Sequence, residues 1–388
     1  MRTMAALGIC ALTLACDPAE ERPDAGASED AGSTDAGVAD ASSERDGGPP
    51  DAGGDDAGSA PAWAPESIAA GGLPAIAIAD DGVVHVAYAR LFSDGTGEIH
   101  HARQAGDGWE TSLVHAGPRT GFQQSIALDG DEPRIAWADG RLFAEGTGDV
   151  FVARPSGAAW TRDTLSGRDA DLGVSLAAPP AGPLGLVHGA PRALGFARVT
   201  PPDWAVEDIV ADADYRAPAV AFDAAGGAHV GFGHRDEAGP GHAERAPSGT
   251  WVLETVEPEP ETVVLVDLAI DPDDRPWMAY AVADEVRVAV RRSDGWEVTP
   301  VATGVDALSV AIAVGPTGTA HVAFGDDTEA TVVHARDADG WRPTVVASTG
   351  SGSTADLAVD AEGRPHVVYA RFDASGAATL ELARGPRP

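Results

Sequence analysis

An all-β, seven-bladed propeller of four-stranded blades is the fold this sequence predicts, on three observations. Seven of the nine tryptophans form a near-regular ladder, Trp63, Trp109, Trp160, Trp204, Trp251, Trp296 and Trp341, at gaps of 44 to 51 residues. Around each rung the same short apolar runs and Gly/Asp turns recur, which is the period of a propeller blade and not of a single-core enzyme domain. The third observation concerns the ends. The last repeat stops at Arg384 without a tryptophan strand, and Trp63-Ala64-Pro65-Glu66-Ser67-Ile68 carries the pattern of the missing one. The first ordered strand is therefore expected to complete the C-terminal blade and leave the ring no open edge.

Taken from the N-terminus, residues 1–15 read as a signal peptide. Arg2 supplies the positive end, and Ala5 to Ala15 is apolar but too short to span a bilayer. Leu12-Thr13-Leu14-Ala15-Cys16 is similar to a bacterial lipobox, which makes Cys16 the expected lipidation site; an ordinary cleaved signal is the alternative. Cys10 and Cys16 are the only cysteines, so the folded part must hold together without disulfides and has no thiol nucleophile. Residues 17–60 repeat Asp-Ala-Gly and set 13 acids against two arginines, with Val38 their only large apolar side chain. Such a segment cannot bury enough surface to offset its ordering entropy, so a disordered acidic tether is expected.

Residues 61–388 hold 48 acids and 23 arginines, and the chain has no lysine. That balance argues against nucleic-acid binding and removes lysine chemistry. The first blade shows the repeat: an apolar run Pro74 to Ala79, a turn Asp80-Asp81-Gly82, a second run His85 to Ala89, and a third ending at Arg103. A tight turn Gly106-Asp107-Gly108 then leads into Trp109. Alternation between Gly/Asp turns makes these strands. The third run ends in arginine in every repeat, at Arg103, Arg154, Arg198, Arg245, Arg291, Arg336 and Arg384. Gly185-Leu186-Val187-His188 keeps the spacing of the second run in blade 3 but loses its side chains.

Features present in every blade are packing devices, and function is expected where the repeats differ. The in-phase histidines His85, His229, His321 and His366 lie in different blades and cannot converge on one ion at bonds of about 2 Å. No metal or cofactor is expected from them, and hydrogen bonding near the preceding turns is their expected role. The loops joining strands two and three, and those joining blades, vary and share one face. There Arg90, Phe92, Asp94 and Glu98 of blade 1 are nearly duplicated by Arg141, Phe143, Glu145 and Asp149 of blade 2. An aromatic ring beside planar hydrogen-bonding groups suits a sugar; the alternative is two long hairpins inherited from a blade duplication. Tyr215 and Arg216 stand between blades, apart from the repeat tyrosines Tyr88, Tyr280 and Tyr369. Further arginines on that face, Arg119, Arg168, Arg192, Arg235 and Arg371, either pair with neighbouring acids or fork onto a ligand carboxylate.

The turns Ser293-Asp294-Gly295-Trp296, Asp339-Gly340-Trp341 and Asp107-Gly108-Trp109 are contracted versions of a Ser-x-Asp-x-Gly-x-x-Trp turn. In this the chain resembles the sialidase-like, or BNR-type, propeller superfamily over residues 62–388. The resemblance implies the fold. A sialidase would also need an Arg-Ile-Pro motif, an arginine triad and a tyrosine nucleophile activated by Glu. The nearest motif is Arg134-Ile135-Ala136, on a core strand, and Tyr215 with Arg216 is the remaining lead.

The reading that follows is a lipid-anchored protein of the cell envelope, at the outer membrane or cell surface. Its monomeric propeller would act without catalysis, as a recognition or scaffold module for a glycan, an acidic sugar or a protein. The alternative is a sialidase-like glycoside hydrolase or lyase.

Overall fold

The computed structural model describes residues 63–387 except 122, 140–147, 166–172, 191–192, 201–203, 212–214, 235–238 and 259–262, and only the backbone of 211, 215, 216 and 264. Seven antiparallel four-stranded sheets follow one another along the chain. Blade 1 runs from the innermost strand Gly72–Ile78 through Val84–Leu91 and Thr96–Ala105 to the outermost strand Gly108–Pro118. In blade 7 the order is Ala355–Val359, Pro365–Phe372, Ala378–Arg384 and then Ala64–Ala70 from the other end of the chain. Ala64 pairs with Arg384 and Ala70 with Thr379. Arg384 Nη1 adds an ion pair to Glu66 Oε1 at 2.9 Å. The seven blades and their closure stand as the sequence predicts. Blade 3 forms a complete sheet as well, with all six residues of Gly185–Ala190 buried.

The tryptophan ladder is the contact between blades. Four rungs lie edge-on against a third-strand ring of the preceding blade, while Trp341 meets the second-strand Trp277 at 6.3 Å and 59°. Trp160 meets His101 at 5.3 Å and 67°, Trp251 meets Phe196 at 5.3 Å and 67°, and Trp296 meets His242 at 5.3 Å and 68°. Trp63 meets His334 at 5.0 Å and 67° across the closing seam. Edge-to-face approach is the arrangement aromatic quadrupoles favour. Where the third strand is aliphatic the same packing persists: Trp204 covers the cluster of Val150, Val152 and Leu186 between blades 2 and 3.

At the axis, the innermost strands are stapled by side chains that accept a backbone N–H from the next blade. Ser125 Oγ accepts from Leu176 at 3.0 Å, Ser175 Oγ from Val220 at 3.2 Å and Ser309 Oγ from Ala355 at 2.8 Å. Asp267 Oδ2 accepts from Ile312 and Asp356 Oδ2 from Ile76, both at 2.8 Å. Burial at the axis, with the negative Asp356 second, pushes the Asp267 carboxyl up to about 7. Burial pushes Asp356 up to about 6.

The second-strand histidines bond within their own blades. His85 Nδ1 lies 3.0 Å from His101 Nε2, His321 Nδ1 3.0 Å from His334 Nε2, and His229 Nδ1 3.2 Å from His242 Nε2. Only in blade 7 does the ring bond closely to the preceding turn, His366 Nε2 to Asp360 Oδ2 at 2.8 Å. The turn partner expected for His85 and His321 is replaced by a third-strand histidine, because the turn before each holds no carboxylate at the position of Asp360. Burial, reinforced by Arg103 and Arg336, drives His85 and His321 down to about 4. Burial and the partner ring drive His101 and His334 to about 3.

Replacing Trp63 with Ala opens the seam and is expected to cost about 3 kcal/mol in urea denaturation. Val345→Ala, at a side chain on the outer rim that is 58% exposed, should cost less than about 0.5 kcal/mol. The histidine pairs predict acid sensitivity. Their folded pKa values lie below the unfolded value near 6.5, so the unfolded chain binds more protons. Their contribution is complete above about pH 6.5 and is lost as pH falls toward 4 and then 3. Asp267 and Asp356, with raised values of about 7 and 6, act in the opposite sense down to the unfolded Asp value near 3.9. The double variant His321→Leu/His334→Phe removes one histidine pair and leaves both aspartates. Its stability, followed by denaturation from about pH 7.5 to 4.5, should fall less steeply with acid than that of the parent chain.

Candidate functional site

The blade 1 hairpin that the sequence singled out is a stiff, well-formed tip. Phe92 N–H donates to Thr96 O at 3.0 Å and Gly95 N–H to Phe92 O at 3.1 Å. Asp94 Oδ1 accepts from Thr96 N–H at 2.9 Å and Thr96 Oγ1 at 2.6 Å. Those bonds hold the Asp94 carboxyl below the usual carboxylate range and commit it to the turn. Glu98 is also engaged: His100 Nε2 lies 2.8 Å away and Arg90 Nη1 3.4 Å away, across the register pair of Arg90 with Glu98. What remains presented is Phe92, 41% exposed, with the Arg90 guanidinium 5.7 Å from its ring centre, beside Leu91. Arg119 flanks the tip, its N–H donating to Gly95 O, in a left-handed backbone conformation (φ 58°).

Of the blade 2 counterpart, Arg141, Phe143 and Glu145 lie outside the described residues. Asp149 is described: its carbonyl accepts from Asp139 N–H at 3.0 Å, just before the third strand Val150–Ser156. Tyr215 and Arg216 lie not between blades but at the start of the innermost strand Tyr215–Phe222, in register with His234 and Gly233. A bulge interrupts the ladder between Arg216 and Ala219, with Ala217 at φ 44°.

Two Tyr–Glu pairs are present among the described residues, at positions the sequence assigned to the core. The Tyr280 hydroxyl donates to Glu257 Oε2, which also accepts from Arg287 Nη1 at 2.8 Å. In blade 7 the Tyr369 hydroxyl donates to Glu381 Oε2 at 2.9 Å, and Arg371 Nη2 pairs with Glu381 Oε1 at 2.7 Å. Both tyrosines are fully buried. Burial, then the partner carboxylate, pushes each phenol above its ordinary value. The pairs sit two blades apart and each carries one guanidinium. Other arginines are bound within their own neighbourhoods, Arg245 to Glu207 at 2.8 Å and Arg336 to Asp339 at 2.5 Å. Arg134 of the Arg-Ile-Ala segment is taken by Asp129 at 2.9 Å. No arginine triad converges on a Tyr–Glu pair among the described residues.

Two clefts open on the opposite face, between neighbouring blades at the short-turn rim. One of about 720 Å³ lies between blades 4 and 5, lined by Asp223, His229, His242, Glu254, Arg275 and Arg291. Another of about 630 Å³ lies between blades 1 and 2, lined by His85, His101, Arg103, Asp131 and Trp160. Sequence reasoning missed both because it discounted whatever recurs in each blade. The signal was present in the third-strand histidines His101, His242 and His334, each 13 to 16 residues after its second-strand partner.

No protein-family profile matches the chain, and neither does any curated protein sequence. Solved structures do resemble it in shape. YCF48 bound to D1 peptide aligns at TM-score 0.50 and 14% identity, over 84% of this chain and 96% of that one. YCF48 from Cyanidioschyzon merolae aligns at TM-score 0.50 and 12% identity, over 84% and 100%. The intramolecular trans-sialidase from Ruminococcus gnavus aligns at TM-score 0.42 and 11% identity, over 80% and 93%. At these identities the likeness is one of fold, and the seven-bladed propeller implied by the contracted Asp-Gly-Trp turns is the architecture this chain adopts.

Proposed function

We propose that this is an exported, lipid-anchored envelope protein whose propeller recognises a ligand without transforming it. Two parts of the sequence support export and anchoring: the short apolar signal ending at Cys16, and the acidic Asp-Ala-Gly tether of 17–60. The observation that carries recognition over catalysis is the fate of the Tyr–Glu pairs. Among the described residues both are buried, both hydroxyls are held protonated, and the paired arginines are distributed around the ring in separate ion pairs.

The ligand surface proposed is the blade 1 tip, where Phe92 and Arg90 present an apolar ring face beside a guanidinium. That pairing suits a glycan or acidic sugar, whose ring C–H faces stack on an aromatic and whose carboxylate accepts from arginine. Peptide is the competing ligand class; YCF48, of the same fold, has been solved bound to one.

A glycan array probed with the full chain should give binding to acidic glycans, lost in the Phe92→Ala/Phe143→Ala double variant and weakened about tenfold by Arg90→Ala. Absence of binding, or binding indifferent to those changes, removes the tip as the site. Membrane fractionation tests the anchor. Cys16→Ser should move the protein from the membrane to the soluble fraction, and persistent membrane association would refute lipidation at Cys16.

A further inference from the structure

On the long-loop face the hairpin tips of blades 7 and 1 flank the seam at which the ring closes, and a groove runs between them. Tyr88 packs with Val368, Leu380 and Leu382 of blade 7, so its side of blade 1 is turned toward that blade. Side chains two residues apart on a strand share a face, as do register partners. Arg90 and its partner Glu98, with His100 opposite Tyr88, therefore form one wall, and the Phe92 ring lies 5.7 Å from the Arg90 guanidinium. On the facing wall, a Cβ added to Gly72 of blade 1 would stand 3.4 Å from the Ala370 Cβ. Phe372 lies two residues further along an unbroken pairing and projects from the same wall, half-buried. The floor is Gly71-Gly72, where the chain crosses from the outer strand of blade 7 to the inner strand of blade 1. Gly71 N–H donates to Ala378 O at 3.1 Å, and Gly72 pairs with Ala89. Gly71 has φ 146°, and a Cβ there would meet Tyr88 Cδ2 at 2.6 Å, so the floor carries no side chain.

Arg90 is held loosely in this groove. Its Nη1 stands 3.4 Å from Glu98 Oε2, and its side chain is 44% exposed. The same carboxylate oxygen lies 2.8 Å from His100 Nε2, on a ring stacked against Tyr88 at 5.2 Å and 19°. Arg90 can therefore turn to another anion without leaving Glu98 unpaired, and it is an unpaired partner that makes such exchanges costly.

We propose that the groove takes one hexuronic acid residue of an acidic glycan, its ring between Phe92 and Phe372 and its carboxylate on Arg90. This rests on the reading of the blade 1 tip as the ligand surface and extends that surface across the seam. A pyranose offers apolar C–H faces to the two aromatic rings, and its carboxylate matches the fork of the guanidinium. An added peptide strand would need free backbone groups on the walls. The N–H groups of Phe92 and Phe372 are already given to Thr96 O and Thr349 O, so the walls recognise through side chains. On binding, Arg90 exchanges Glu98 for the ligand carboxylate while Glu98 stays with His100. Glu98 is thus the internal competitor of the ligand, and Phe372 is a contact that blade 1 alone does not supply.

The test is calorimetric titration of the full chain with trigalacturonic acid and, separately, with its methyl ester. The acid should bind, and the uncharged ester about tenfold more weakly. Phe372→Ala should weaken the acid about tenfold, and so should Phe372→Leu, which keeps most of the packing volume but removes the aromatic face. Glu98→Gln should tighten the acid about threefold and leave the ester unchanged, a response that a merely structural role does not give. Arg371→Gln should change neither. Arg371 is on the same hairpin as Phe372, but it pairs with Glu381 on the opposite side of blade 7, where Tyr369 packs against blade 6. Loss with Phe92→Ala but with neither Phe372 variant confines the site to the blade 1 tip; it overturns the groove and spares the reading it extends. No saturable binding of the acid to the folded chain overturns the hexuronate proposal, and the glycan array then judges the tip on its own. Equal affinity for acid and ester, weaker acid binding by Glu98→Gln, or equal loss with Arg371→Gln also overturns the proposal.

Discussion

The seam between one blade and the next is the constraint on which the rest of this structure depends. A single four-stranded blade exposes two apolar faces, and neither can be covered from within the blade. Each face is closed by a neighbour, and at four seams a tryptophan of the following blade is laid edge-on across the third strand at nearly constant distance and angle. Because that solution must be reproduced at every junction, the chain has to return to its start. Without disulfides, it does so by pairing Ala64–Ala70 with the last strand, so that Trp63 serves the final seam as the other rungs serve theirs.

Two consequences run from the seam to the chemistry of the surface. Close packing of aromatic and imidazole rings takes the histidines out of water and holds them uncharged, so their hydrogen bonds must come from one another. Between blades 1 and 2 and between blades 4 and 5 lie clefts lined by the pairs His85–His101 and His229–His242. The short-turn face therefore has concave, titratable recesses set by the repeat itself. The long-loop face presents a tip at Phe92, on a long hairpin whose sequence recurs in blade 2 alone.

The candidate surface was legible only in part. Phe92 and Arg90 stand out in the chain as an aromatic and a cation on a Gly-rich hairpin, and they are presented as such. Asp94 and Glu98 look equally available in sequence, yet one is consumed by its own turn and the other by a cross-strand pair. Composition cannot distinguish a carboxylate that waits for a ligand from one already satisfied by a backbone N–H two residues away. Tyr280 and Tyr369 illustrate the reverse error. Their place in the repeat marks them as core, but their carboxylate partners come from a separate loop and from a neighbouring strand, and only the fold joins them.

By itself the sequence determined the number of blades, their strand order and the closure of the ring. It could do so because a repeat states the same local physics seven times, and period-two burial with tight turns needs no distant partner to be recognised. Tertiary structure alone decided which side chains meet across a strand pair or a blade junction. The pairing of His229 with His242, the carboxylates at either end of that pair and the cleft above it depend on register and on the angle between adjacent sheets. Those are properties of two surfaces in contact, and a linear pattern carries them only after the ring has closed.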